Sequence, residues 1–284
     1  WASGKMASSS SAGLADSYEA DTDDVLLASL PTDTAAAIDS LFARCPPHLR
    51  PLSLPVALMS CVYAVVDDRT TADREVDDRR LRHELRLLTL PSSDQRLVLR
   101  AEAYEGALQK AACALTGADQ RALLAAARAL PCCTGDSVRR EELSSALRDA
   151  DADFVADALL RHGWLATAPG APGNEWLWAL PEMGKLTRAL HPARHIVLRA
   201  LARQRHGRAM RHVVERATAK LLKGSPLTLD FALKDLVGAC LVESASTVTG
   251  VILTLTDAGK RAARTAAPDI SSRGRKRARS DRPE

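Results

Sequence analysis

The sequence is poor in aromatic side chains, which make up only 4% of its 284 residues although 46% are hydrophobic. This scarcity excludes an aromatic-rich sheet core and predicts cores of Leu, Ala and Val packed at helical spacing. No apolar run approaches the ~20 residues that a membrane-spanning helix needs, so we expect a soluble protein without a membrane partner. Single domains usually hold ~100 to 200 residues, and a chain of this length therefore predicts two or three.

Cysteine pairs of the kind that bind metal are also missing. The six cysteines lie in apolar or Ala-rich runs, and the adjacent Cys132 and Cys133 do not form a C-x-x-C pair. His191 and His195 lie four residues apart, on one face of a predicted helix, but no second pair completes a zinc site. We therefore expect a reducing compartment, no metal and no cofactor.

The motifs of phosphoryl transfer are missing as well. The sequence contains no G-x-G-x-x-G loop and no H-R-D followed by a downstream Asn, and the segment that begins at Asp230 reads D-F-A rather than D-F-G. The glycine–lysine segments near residues 224 and 259 lack the spacing of a phosphate-binding P-loop. The sequence thus predicts a protein that is not an enzyme. A serine/threonine kinase is the least favoured of the three functions considered.

What the sequence does contain is a strong charge asymmetry. Residues 1–43 hold one basic residue against seven acids, whereas residues 188–223 hold ten Lys or Arg against the single acid Glu215. A basic field of this density attracts phosphate polymers such as nucleic acids. The alternative is a charged helix face that is exposed to solvent and binds no ligand. We predict that the main phosphate contacts are made by Arg203, Arg205, Arg208, Arg211, Lys220 and Lys223.

The carboxyl end carries a second basic run, RGRKRAR at 273–279. Such a run is typical of a nuclear-import signal or a non-specific phosphate contact, and a basic solubility tail is the alternative. The residues concerned are Arg273, Arg275, Lys276, Arg277 and Arg279.

One order of elements recurs three times: helices, a short strand, a turn and a second strand. Helices are predicted at 33–43, 53–64 and 70–83, then at 119–130, 138–147 and 151–161, and finally at 192–203, 208–222 and 230–240. Strand pairs are predicted at 85–89 with 97–99, at 164–167 with 176–180, and at 241–243 with 251–255. This is the pattern of a winged helix, whose third helix can enter a major groove.

We therefore predict a mostly α protein with small β wings (α+β), built from three tandem winged-helix domains. Their bounds are 33–117, 118–187 and 188–264, and the last is basic and binds DNA. Residues 1–32 are expected to form a disordered acidic segment and residues 265–284 a disordered basic tail.

The most distinctive segment is VYAVVDDRTTADR at 62–74, at the turn into the third helix of the first unit. Arg69, Arg74 and Arg79 project from this helix and are secondary candidates for DNA contact. Four acids share the helix, however, and the mixed charge favours internal pairing or a protein partner.

This segment resembles the winged-helix family once named serine/threonine kinase nineteen, whose members carry V-Y-x-x-V-x-D-R-T-x-A-D-R at the same place. The resemblance continues through GWL at 163–165, WLWALP at 176–181 and DLVGACLVE at 235–243, and then through Ser246-Thr247, Gly250 and Leu253. It covers roughly residues 35 to 257. The family's basic stretch in the third unit appears here as RQRHGR at 203–208, with one residue inserted.

The resemblance implies a protein that was named a kinase but is inactive as one. It also implies three winged helices, a nuclear location and binding to double-stranded DNA. It also implies a scaffold role in transcription-coupled nucleotide excision repair. The partners it implies are the stalled RNA polymerase II repair complex, the Cockayne syndrome A factor and TFIIH. The alternative is a winged-helix subunit of a transcription complex that contacts only proteins.

Overall fold

The computed structural model describes residues 32–46, 50–90, 95–148, 150–167, 173–223, 225 and 227–265. The chain divides into two units, Trp1–Thr32 and Asp33–Glu284, and every element below belongs to the second. The acidic amino-terminal segment and the basic tail are predictions that fall almost wholly outside the described residues. This also holds for the five tail cations at 273–279.

The first repeat spans residues 33–100. It consists of α1 (Asp33–Arg44), β1 (Val56–Leu58), α2 (Met59–Tyr63), α3 (Arg69–Leu81), β2 (Leu85–Thr89) and β3 (Arg96–Arg100). Asp68 fixes the start of α3, because its Oδ1 accepts the backbone N–H groups of Thr70 at 2.9 Å and Thr71 at 3.2 Å. A helix start leaves such N–H groups without intrahelical partners, and the cap satisfies them.

The second repeat spans residues 117–178 and follows a connecting helix, α4 (Ala101–Cys113). It consists of α5 (Gly117–Ala129), β4 (Ser137–Arg139), α6 (Arg140–Leu147), α7 (Ala152–Arg161), β5 (Leu165–Thr167) and β6 (Glu175–Trp178). Asp151 caps α7 by accepting the N–H of Asp153 at 3.0 Å.

The third repeat spans residues 183–255. It consists of α8 (Met183–Ala202), β7 (Arg208–Met210), α9 (Arg211–Leu222), α10 (Leu229–Gly238), β8 (Val242–Thr247) and β9 (Gly250–Leu255). A further helix, α11 (Asp257–Thr265), follows β9. Within the described residues, each repeat therefore has the order helix, strand, two helices, two strands.

Each repeat forms one small antiparallel sheet in which its last strand is central. The orders are β1-β3-β2, β4-β6-β5 and β7-β9-β8. In the first sheet Val98 of β3 lies opposite Ala57 on one side and Leu87 on the other. The architecture is mostly helical with small antiparallel sheets, which confirms the predicted α+β class and is consistent with a winged helix.

The first strand of every sheet was not predicted. β1, β4 and β7 each contain three residues and overlap segments for which helices were predicted, at 53–64, 138–147 and 208–222, with β4 beginning one residue before its segment. Three residues are too few to display a period of two, so the following helix dominates the local pattern. Pairing with a distant strand decides these segments, as when Val138 lies opposite Trp176.

Two helices, α4 and α11, were also missed, and α8 was predicted to begin nine residues too late. Pro192 suggested a helix start, because proline is favoured in the first turn. In the structure Pro192 lies inside α8. Leu186 and Leu190 before it and Val197 after it are all buried, so one apolar stripe holds both halves of the helix against the core.

The first and second repeats meet around two tryptophans and an arginine. Trp164 and Trp178 are fully buried, and the ring of Tyr104 from α4 meets Trp164 edge-on at 5.4 Å between centroids. The guanidinium of Arg86 lies 4.9 Å from the Tyr104 ring centroid and 4.6 Å from that of Trp178. Burial lowers the pKa of Arg86. Three of the ten aromatic residues of the chain therefore meet at this junction.

The first and third repeats are joined by close packing of α10 against α2. A Cβ on Gly238 would lie 1.5 Å from the carbonyl oxygen of Ser60, so only glycine allows the two backbones to approach this closely. Beside this contact the fully buried carboxylate of Asp235 accepts the Ser60 hydroxyl at 2.6 Å and forms an ion pair with Arg194 of α8. Arg69 of α3 donates to the Gly238 carbonyl at 3.0 Å.

Leu233, Leu236, Val237 and Leu241 follow the i, i+3, i+4, i+8 spacing of one helix face, and this spacing in the sequence predicts that they face inward. Leu233 and Leu236 are buried, and Val237 and Leu241 are half-buried against the same core. The spacing of three and four residues in the sequence therefore identified this inward face correctly.

Candidate nucleic-acid interface

The third repeat and α11 carry the positive charge of the described chain. Residues 183–265 contain fifteen Lys or Arg and five Asp or Glu. The exposed cations lie on α8, the turn after it, β7, α9 and α11, whereas the half-buried Arg194 is neutralised by the buried Asp235.

Three of the predicted contact residues lie close together in the chain where α8 ends. Arg203 is the residue that follows α8, and Arg205 lies in a short 3-10 turn, Arg205–Gly207. Arg208 is the first residue of β7 and lies opposite Thr254. All three side chains are exposed. Among the described residues none of the three forms an ion pair, so their charges are available to a ligand.

Arg211 behaves differently from these three. It forms an ion pair with Asp230 at the start of α10. The sequence had pointed to Glu215 as the only acid near the basic cluster, and that expectation was wrong because α10 folds back beside α9. Both partners of the pair are largely exposed, so the pair lowers the local positive charge without burying it.

The other predicted cations on α9 lie at its far end. Lys220 and Lys223 are exposed, nine and twelve residues after Arg211, and nine residues correspond to roughly 13 Å along a helix. Arg216, which was not predicted, lies four residues before Lys220 and shares its face. The six predicted residues therefore form two groups, one at the end of α8 and one along α9, rather than a single corner.

Helix α11 adds three cations that sequence reasoning missed: Lys260, Arg261 and Arg264, all exposed. The helix is held by Gly259, where a Cβ would lie 2.0 Å from the Leu241 carbonyl oxygen. Thr256 caps its start by accepting the N–H of Gly259 at 3.0 Å. The sequence did contain a local signal for this helix: a Thr at a helix start, followed within one turn by a short run rich in Lys and Arg.

Helix α11 and the turn after α8 enclose an open cleft of about 440 Å³. Its polar lining comes from Gln204, His206, Lys260 and Arg264. His206 and Gly207 both have positive φ, 59° and 66°, which turns the chain sharply at this point. Both cations of the cleft, Lys260 and Arg264, lie on α11, and the turn after α8 contributes the neutral polar side chains of Gln204 and His206.

The third helix of the third repeat cannot act as a groove-reading helix in this fold. Helix α10 packs against α2 through Gly238 and buries Asp235 in the junction, so the face that a free winged helix would offer to DNA is occupied. The predicted phosphate contacts of the third repeat lie outside α10, at the end of α8 and along α9, and this packing leaves them exposed.

The secondary candidates on α3 are mostly engaged within the protein. Arg69 donates to Gly238 and lies 5.2 Å from the Tyr63 ring centroid, and Arg79 pairs with Glu84 at 2.9 Å. Arg74 is exposed. The mixed charge of this helix favours internal pairing or a protein partner, and in the structure Arg79 forms an ion pair whereas Arg69 donates to a backbone carbonyl.

The wing of the third repeat contains no cation. Residues 235–259 include no Lys or Arg, and the residues from Glu243 to Gly250 are exposed. This ribbon therefore cannot neutralise phosphates, unlike α9, α11 and the turn after α8.

The described residues contain no group of three or more His, Cys, Asp or Glu that could hold a metal ion. Of the two histidines weighed as zinc ligands, His191 is exposed and His195 is half-buried, and burial followed by the charge of Arg199 lowers the pKa of His195. Within the described ranges, no helix is both long and apolar enough to cross a membrane.

No protein-family model matches the chain. It is similar to Winged helix repair factor 1 of Homo sapiens, with 27% identity over 230 residues that cover 79% of this chain and 86% of the relative. It is also similar to Winged helix repair factor 1 of Mus musculus, with 29% identity over 213 residues that cover 72% and 77%. These similarities support a family of winged-helix repair factors, and neither name contains the kinase designation.

Proposed function

We propose that this chain is a non-enzymatic winged-helix repair factor that binds double-stranded DNA. The three repeats, 33–100, 117–178 and 183–255, are three tandem winged-helix domains, and the third holds the DNA. The single observation that carries the proposal is the unpaired basic surface of Arg203, Arg205 and Arg208, continued by the cations of α9 and α11.

The mode of binding follows from which surfaces are free. Helix α10 is buried at the junction with the first repeat, and the wing has no cation, so neither can supply a basic reading element. The free cations are long side chains on separate segments, which suits contacts to phosphates rather than to base edges. We therefore propose weak sequence specificity and a steep dependence on salt.

The resemblance of the sequence and the names of the two relatives extend this proposal to the cell. The protein would act in the nucleus as a scaffold in transcription-coupled nucleotide excision repair. Its partners there would be the stalled RNA polymerase II repair complex, the Cockayne syndrome A factor and TFIIH. The exposed α3 residue Arg74 and the wing without cations are surfaces that remain for such proteins.

The test is fluorescence anisotropy of the full chain with a labelled random-sequence duplex, at salt concentrations from about 50 to 200 mM. The double variant Arg205→Glu plus Arg208→Glu should weaken binding to every duplex alike. Because each lost phosphate contact lowers the logarithmic salt slope by about 0.9, the slope should fall by about 1.8. Folding should be retained, since exposed charge changes usually cost less than about 0.5 kcal/mol.

The matched control is Arg121→Glu plus Arg128→Glu, which changes two exposed arginines of α5 in the second repeat by the same charge. It should bind duplex DNA nearly as the parent does. Equal binding by both double variants would place the DNA surface elsewhere. Failure of the parent to bind duplex DNA would favour the protein-only alternative, and transfer of radiolabelled phosphate by the purified protein would favour the kinase alternative.

A further inference from the structure

A second cavity lies away from the basic surface, where the first repeat meets the start of α10. It measures about 270 Å³ and is more enclosed than the cleft beside α11. Elements of both repeats form its wall: the end of α1, β1 and α2 on one side, and the first two turns of α10 on the other. The close Gly238–Ser60 contact fixes these two sides relative to each other.

The inner wall of the cavity is apolar. Leu41, Val56, Leu58 and Cys61 are all buried and line it, and the ring of Phe231 covers it from α10. Burial raises the pKa of the Cys61 thiol, so this wall carries no charge at neutral pH. Apolar walls of this kind favour the aliphatic or aromatic part of a ligand over water.

The mouth of the cavity is basic. Arg44, the last residue of α1, is exposed there, and Lys234 of α10 is half-buried. In the described parts of the chain neither side chain forms an ion pair or a hydrogen bond, whereas the one acid of the mouth, Asp230, is already paired with Arg211. The mouth therefore presents two positive charges and one neutralised carboxylate.

We propose that this cavity binds a small amphipathic carboxylate, with its apolar part against Leu41, Val56 and Phe231 and its carboxylate between Arg44 and Lys234. None of the six proposed phosphate contacts lines the cavity, and its one link to them is Asp230, which pairs with Arg211, so we expect ligand binding to be independent of DNA binding. The site would give the protein a ligand that clamps the first repeat to the third.

The size of the cavity limits the ligand. A volume of about 270 Å³ corresponds to roughly nine water molecules at about 30 Å³ each, which suits a ligand of about ten non-hydrogen atoms. Phenylacetate has this size and this chemistry. The affinities usual for ligands this small predict a dissociation constant at or below about 1 mM.

The test titrates phenylacetate and its neutral analogue 2-phenylethanol into the full chain with labelled Leu and Val methyl groups. Phenylacetate should shift the methyl signals of Leu41, Val56 and Leu58, and 2-phenylethanol should bind at least about tenfold more weakly because it lacks the charge-assisted contacts. Phenylacetate should also raise the unfolding temperature, since it binds only the folded junction.

Two variants separate the parts of the site. Arg44→Gln plus Lys234→Gln should weaken phenylacetate to the affinity of the alcohol and leave the alcohol unchanged, whereas Arg121→Gln plus Arg128→Gln should change neither. Leu41→Trp should fill the cavity and abolish both. The proposal is overturned if phenylacetate does not bind the parent, if the shifted methyl groups lie elsewhere, or if the alcohol binds the parent equally well.

The outcome for DNA is read separately. Saturating phenylacetate should leave the affinity for a random duplex within about twofold of its ligand-free value, a factor that corresponds to less than about 0.5 kcal/mol. If the parent chain binds duplex DNA but not phenylacetate, only the ligand site is refuted. If it binds phenylacetate but not duplex DNA, only the proposed function is refuted.

Discussion

Gly238 is the position at which one added methyl group should separate the first repeat from the third. The substitution Gly238→Ala places a Cβ 1.5 Å from the carbonyl oxygen of Ser60 and 2.5 Å from its carbonyl carbon. Both obstacles are backbone atoms, so no side-chain rotation relieves the overlap. Helix α10 must therefore move away from α2 by roughly 1.5 to 2 Å to restore ordinary contact distances.

That displacement reaches beyond the methyl group. The hydrogen bond from Ser60 to Asp235 is 2.6 Å long, and a shift of this size breaks it. Arg69 also loses its 3.0 Å contact with the Gly238 carbonyl. Overpacking costs typically about 1 to 3 kcal/mol, and disturbing a fully buried carboxylate adds to it, so we expect a total loss of at least about 3 kcal/mol.

The measurement is urea and thermal unfolding of the full chain, with Gly106→Ala as the control. Gly106 lies inside α4, and a Cβ there meets nothing within 4 Å, so the control should be neutral or more stable by up to about 1 kcal/mol. Gly238→Ala should lower the unfolding temperature by roughly 6 to 12 °C. If both variants unfold alike, the close packing of α10 on α2 is not the contact that holds the third repeat in place.

Two further predictions concern buried polar groups. Arg86 is 5% exposed, and its Nε and one terminal nitrogen have no partner in the described structure. Arg86→Met fills the space of the buried side chain without these nitrogens, so it should be more stable than Arg86→Ala by about 2 kcal/mol in urea unfolding. Equal stabilities would show that filling this space contributes nothing. Burial above all, with the hydrogen bond to Asp73, raises the pKa of Tyr63 to about 12. The fold thus favours the neutral form of Tyr63. The contribution of this form to the free energy of unfolding is complete below the unfolded pKa of about 10 and is lost as pH rises towards 12. The stability of Tyr63→Phe should fall less steeply over that range than that of the parent, and parallel pH curves would contradict this assignment.

The arrangement of the proposed DNA-contact residues was only partly visible in the sequence. The charge count located the basic third repeat, and the exposed Arg203, Arg205 and Arg208 match that expectation. The pairing of Arg211 with Asp230 was missed, since residues 19 apart in sequence meet only because α10 turns back beside α9. The cations of α11 were missed because the helix has only nine residues. A pattern of that length does not stand out from the basic tail that follows it.

The repeated order of helices and hairpins was determined by the sequence alone, because apolar spacing of three and four residues, glycine and proline turns and alternating strands are local signals. The same local signals identified the buried face of α10 through Leu233 and Leu236. Only the tertiary structure decided what that helix is used for. Its third-helix position predicts contact with DNA, but Gly238 and Asp235 bind it to the first repeat, 175 residues away in sequence from Asp235 to Ser60. The three-residue strands were decided in the same way, since a segment of that length takes its conformation from the distant partner with which its backbone groups must pair.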